Sequence, residues 1–288
     1  MDNFPNFDPT PRKPIIAPPP LTCDSQVHYF TQSPRFPQIP NPSYPAPDAT
    51  LDDVLKMHRT LGIDRGVLVH PIPYGTDNSL LFEVLKQAGP SYRGIAVIND
   101  SVSDKELQRM HDAGVRGVRF SFLRVLNIRP RAELFQRTLE RIAPMGWCVK
   151  VHFGGEEVFE LEPTLRSAKI PLVIDHIGGT NIGLGLDQPA FQLLLKLMRE
   201  PNIWMMLSNG DRNSATGHPW NDTIPFAEAL MAVAPDRLVW GTDWPHVRYF
   251  QKMPNDGDLL ELAYRYMPDP AMRQRILVDN PARLFGFI

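Results

Sequence analysis

The chain has 288 residues, 43% hydrophobic and 22% charged, with a formal net charge of -2, an ordinary globular composition with room for one large domain. Such a balance offers nucleic acid or an anionic membrane no overall attraction, no apolar run approaches the ~18 residues that span a bilayer, and the start of the chain lacks a basic-then-apolar leader pattern. Cys23 and Cys148 have neither a CxxC spacing nor a histidine cluster beside them, so no disulfide or thiolate metal site is expected, a reducing cytoplasm is the expected setting, and the expected partner is a small molecule.

Residues 1–20 hold seven prolines, which bars regular helix and inner strand and predicts an extended arm ahead of a domain over 21–288. A second proline-rich stretch, 33–47, is longer than a routine loop and reads as a lid or binding loop. Apolar and β-branched runs recur at 21–28, 65–71, 93–98, 115–120, 148–153, 171–176, 202–207 and 237–243, with helical patterns between them. Over 48–62, Asp48 is the expected helix N-cap and Gly62 the stop; Ser103 and Glu106 have capping-box spacing. Eight strand-plus-helix units predict a (β/α)8 TIM barrel with an extended proline-rich N-terminal arm, and no GxGxxG or GxxxxGK[ST] loop points to a nucleotide-binding sheet.

In such a barrel the reactive face lies at the C-terminal ends of the strands. Gln26 and His28 fall at the end of the first run, His70 of the second, Arg119 of the fourth, His152 of the fifth, and Asp175 and His176 of the sixth. Asp211 and Arg212 follow the seventh, and Asp243 and His246 follow the eighth. His58 and His111 fall within helices and are assigned to the outer ring. The clustering predicts a polar pocket in which a carboxylate serves as general base for water while imidazoles and guanidiniums polarise a carbonyl. No G-x-S-x-G motif is present, and Cys148 lies at the wrong end of its strand for a nucleophile. Each residue also has a plainer reading: Asp243 as a turn cap, His176 as a core histidine, His70 as loop packing, Asp175 as an orienting acceptor, Trp244 as packing.

The segments "SVSDKELQRMHDAGVRGVRF", "VIDHIGG", "LVWGTDWPH" and "LVDNPARLFGF" resemble, in consistent order, the amidohydrolase superfamily and within it the 2-pyrone-4,6-dicarboxylate lactonases. The resemblance implies Asp243 as general base, His176 as its strand-six partner, and Arg119 and Arg212 as carboxylate clamps. Arg124 lies one position from a third expected arginine. The chain departs from the usual H-x-H opening, since Gln26 replaces the first histidine, and His152 stands where those lactonases carry Tyr. An amide is a poor zinc ligand, so no metal cofactor is expected. The alternative is one divalent ion such as Zn or Mn held by His28, His152, His176 and Asp243.

The expected activity is opening, or reversible closing, of a carboxylate-bearing lactone from aromatic degradation. Asp243 activates water, His28 and His176 serve as catalytic partners, and Gln26, Arg119, Arg124, His152, Arg212, His246, Tyr44 and His70 surround the substrate. A metal-dependent hydrolase or non-oxidative decarboxylase, a sugar-acid lactonase or lactone isomerase, and a non-enzymatic binding protein remain open. So does a homo-oligomer packed through the arm.

Overall fold

The structure, a computed structural model, describes residues 7–124 and 130–287; the first six residues of the expected arm lie outside these. Eight parallel strands follow one another around a single sheet in sequence order. They are β1 (Cys23–Val27), β2 (Arg65–Val69), β3 (Tyr92–Ala96), β4 (Val115–Ser121), β5 (Cys148–His152), β6 (Leu172–Ile174), β7 (Ile203–Leu207) and β8 (Leu238–Trp240). Interleaved with them are α1 (Leu51–Leu61), α2 (Ser79–Ala88), α3 (Asp104–Asp112), α4 (Ala132–Ile142), α5 (Val158–Ser167), α6 (Pro189–Leu197), the single turn α7 (Gly210–Asn213) and α8 (Ile224–Val233); α9 (Asp256–Tyr266), α10 (Pro270–Gln274) and α11 (Asn280–Phe285) complete the chain. None of these helices is long and apolar enough to cross a membrane.

Closure between β8 and β1 is made past the end of β8. Asp243 donates its backbone N–H to the Gln26 carbonyl at 2.9 Å, and His28 donates to the Trp244 carbonyl at 2.8 Å. Gly241 permits that approach, because a Cβ there would lie 2.6 Å from the Gln26 nitrogen. The seam therefore brings the conspicuous polar residues of the first and last strands side by side.

Alternation along the strands separates two apolar layers. One set, including Leu68, Val149, Val151, Leu172, Met205 and Leu207, packs outward beneath the helices. The other, Cys23, Val67, Val69, Ile95, Cys148, Val173, Trp204, Met206 and Val239, fills the interior, where Leu284 and Phe285 of α11 join it. The C-terminal helix thus plugs the floor of the barrel, and only the opposite mouth is left for a ligand.

Local caps differ from expectation in one place. Thr50, not Asp48, caps α1: its side chain accepts from the Asp53 N–H and Asp53 reciprocates at the Thr50 N–H, a complete capping box. Two residues make the difference, since Thr50 directly precedes the first helical residue and Asp48 does not. Ser103 accepts from the Glu106 N–H at the start of α3, and Gly62 ends α1 at φ 76°. Residues 7–20 form no helix or strand. The ring of Phe7 lies 4.5 Å from that of Trp244, and Arg12 pairs with Asp258 of α9.

Candidate active site

The mouth of the barrel holds a cavity of about 320 Å³, within the range of small-molecule sites. His28 follows β1, Arg119 lies in β4, His152 ends β5, His176 follows β6, Arg212 lies in α7 after β7, and Asp243 follows β8; all line the cavity, as does Tyr44 from the proline-rich loop. The chain reaches these positions through unusual backbone: His176, Asn209, Asp243, His246 and Arg248 have φ between 57° and 62°. None is glycine, so the left-handed geometry costs of order 1 kcal/mol each and persists because the surrounding contacts enforce it. Such residues gather at the ends of β6, β7 and β8, where the turns aim side chains into the mouth.

Asp243 is the centre of the cluster. Its Oδ1 lies 3.4 Å from His28 Nε2, 3.9 Å from His176 Nε2 and 3.3 Å from Gln26 Nε2. His28 donates Nδ1–H to the Val69 carbonyl at 2.9 Å, which turns its Nε2 toward the carboxylate. The His176 Nδ1 lies 2.8 Å from the Ser208 hydroxyl. Burial pushes the Asp243 carboxyl upward, but His176, a hydrogen bond from His28 and the Arg212 guanidinium outweigh it and hold it well below the usual carboxylate range. Burial lowers His176 to about 4, against the opposing pull of Asp243. At neutral pH the site therefore presents a carboxylate beside a neutral His176 ring.

Three arginines wall the cavity. Arg119 donates from Nε to Asp175 at 2.9 Å and from a terminal nitrogen to His152 Nδ1 at 3.0 Å. That makes Asp175 an orienting acceptor, and two of the five guanidinium N–H groups are committed. Arg212 is held over Tyr249 and donates to the carbonyls of Val247 and Arg248. Arg248, absent from the sequence-based set, also lines the cavity and donates to the Ser43 carbonyl at 3.2 Å.

Four expected site residues lie elsewhere. Arg124 is 69% exposed and ion-pairs with Glu157 and Glu160 of the same rim. His246 turns away from the cavity to Asp256 of α9, 3.0 Å off. His70 is buried next to Tyr29 and borders a neighbouring cavity of about 400 Å³ that shares Arg119 and Ile72 with the first. Gln26 is fully buried beneath Asp243 rather than presented to a ligand. His58, assigned to the outer ring, is buried between Tyr92 and Asp24.

Sequence reasoning missed Lys150 of β5 as well as Arg248. It is fully buried, and its ammonium lies 3.3 Å from Asp175 Oδ1, 3.2 Å from the Ser25 carbonyl and in contact with Gln26 Oε1. A signal was present: Lys150 stands two residues before His152 inside an otherwise apolar strand, so the two share a face.

Lys150 also bears on whether the donor set suits a divalent metal. An ammonium can only donate, so its partner on Gln26 is the amide oxygen and the amide nitrogen faces Asp243. Where a metal site needs another lone pair, this one offers N–H groups over a buried cation. No group of three His, Cys, Asp or Glu side chains among the described residues is arranged to hold a metal ion.

The amidohydrolase family model matches residues 23–287. Over 274 residues the chain is 39% identical to a 4-sulfomuconolactone hydrolase from Rhizobium radiobacter, covering 92% of this chain and 90% of the relative. It is 36% identical over 285 residues to a 2-pyrone-4,6-dicarboxylate hydrolase from Comamonas testosteroni, covering 96% and 93%. A ligand-free solved structure from Agrobacterium tumefaciens matches with a TM-score of 0.87 at 28% identity, over 98% of this chain and 99% of that one.

Proposed function

The chain belongs to the amidohydrolase family, and from that premise we propose that it is a lactone hydrolase acting on a small carboxylate-bearing ring without a resident metal. The observation that carries this reading is a depressed carboxylate, Asp243, set between two imidazoles at the bottom of a cavity walled by three guanidiniums. The relatives named as hydrolases of an anionic lactone and of a pyrone dicarboxylate support it.

The chemistry follows from the atoms. Arg119, Arg212 and Arg248 draw the substrate carboxylate in and orient it by charge-assisted hydrogen bonds. A water held against Asp243 Oδ1 gives one proton to that carboxylate as its oxygen attacks the ring carbonyl. With the Ser208 hydroxyl donating to Nδ1, neutral His176 keeps Nε2–H and donates it to the carbonyl oxygen as negative charge builds there. Collapse of the tetrahedral intermediate breaks the ring C–O bond, and Asp243 returns its proton to the leaving oxygen. One water is consumed and one hydroxy acid, or its keto form, is released. The same groups close the ring in reverse.

Residence in a reducing compartment such as the cytoplasm accords with two buried free thiols, Cys23 and Cys148.

The test is a screen of carboxylated lactones in both directions, with and without added Zn²⁺ or Mn²⁺, on the parent and on Asp243→Asn. The parent is expected to open at least one such lactone with no metal bound, and Asp243→Asn to lose about 10³-fold in kcat. Full activity in Asp243→Asn, or activity abolished by chelator and restored by metal, overturns the proposal.

A further inference from the structure

Lys150 is the one cation sealed inside the barrel among the interior residues described above, and the proposed chemistry makes no use of it. Its surroundings are specific: Asp175 Oδ1 at 3.3 Å, the Ser25 carbonyl at 3.2 Å, the Met206 sulfur at 3.8 Å, and Gln26 Oε1 in direct contact. Asp175 is already matched by Arg119 at 2.9 Å. A buried ammonium costs several kcal/mol in desolvation, and the Arg119–Asp175 pair would remain a neutral unit without it. What the charge adds is control of Gln26. With Oε1 bound to the ammonium, the Gln26 amide has one orientation, and Nε2–H donates to Asp243 Oδ1 at 3.3 Å. Were the amide reversed, its oxygen would face the carboxylate and repel it.

We propose that Lys150 is a positioning residue for hydrolysis: acting through Gln26, it locks a hydrogen-bond donor beneath Asp243 and so keeps the base ionised and in one orientation. This rests on the reading of Asp243 as the base. The relay runs Lys150 Nζ, Gln26 amide, Asp243 carboxylate, from the dry interior to the cavity.

The experiment compares Lys150→Met, Gln26→Met and the double variant on whichever lactone the parent opens, following kcat, KM and the acid limb of the pH–kcat profile, with folding checked by circular dichroism. Each single variant is expected to lose at least about tenfold in kcat with KM within about twofold, and to move the acid limb upward by about one pH unit as the carboxylate loses its donor. The double variant is expected to be no worse than the poorer single one, because both remove the same relay. If Lys150→Met does not fold, Gln26→Met decides alone, since it leaves the Lys150–Asp175 pair in place. An unmoved acid limb, or losses that multiply in the double variant, overturns the relay. Asp243→Asn retaining activity would instead overturn the base assignment, so the two failures are distinguishable.

Discussion

Asp243 sits at φ 62° three residues past the end of β8, and the neighbouring turn brings Arg248 back over the same cavity. Arg248 therefore supplies a third arginine to the cavity wall, where the family resemblance implied Arg124. The exchange has a simple cause: Arg124 lies beside Glu157 and Glu160 on the rim and finds carboxylates of its own chain. The two arginines can be separated by kinetics. Arg248→Met is expected to raise KM for a carboxylated lactone about tenfold or more with little change in kcat, the loss of one charge-assisted hydrogen bond. Arg124→Met is expected to change neither; a KM effect at Arg124 in steady-state assays would return it to the site. Gln26 illustrates the same limit. Its place at the end of β1 was readable, but which way its amide points depends on Lys150, 124 residues away.

At the scale of elements, all eight predicted runs became strands, with ends shifted by at most three residues. That agreement reflects short apolar and β-branched runs, buried along their whole length in β1, β2 and β7, and the glycines and caps between strands, both local properties. Where capping was decided by a choice between neighbours, as with Asp48 and Thr50, composition alone was ambiguous and the hydrogen-bond geometry settled it. Thr50→Ala is expected to cost ~1 kcal/mol of stability, measured by denaturant midpoint at unchanged m-value, whereas Asp48→Ala is expected to cost less than half of that. Lys150 went unnoticed because a lysine in an apolar strand is usually at an edge or a snorkelling position; only closure of the barrel makes its face an interior.

For the whole molecule, the buried histidines of the mouth set the response to acid. Burial lowers His70 to about 4, His176 to about 4, and His152 well below its ordinary value, with Arg119 adding to the last. These rings are neutral in the fold, while the unfolded chain takes up protons below about pH 6.5. Stability is therefore full above that pH and falls as pH drops from 6.5 toward 4. His70 and His176 are each expected to cost ~2 kcal/mol by pH 5. His246 opposes them, since Asp256 outweighs burial and raises it; three against one leaves the loss dominant. Melting temperature is expected to decline steadily between pH 7 and pH 5, and a flat or rising profile there would show the rings to be charged in the fold.

The sequence by itself determined the barrel, the end of it that reacts, and the residue types gathered there, because apolar runs and strand ends are set by near neighbours in the chain. Only the tertiary structure decided which arginine faces the cavity, which way Gln26 and His28 present their atoms, and that Lys150 lies among them. Those outcomes hang on contacts across the ring, between residues more than a hundred positions apart in the case of Gln26, Lys150 and Asp243, and no local pattern encodes a contact whose partner is chosen by closure of the sheet.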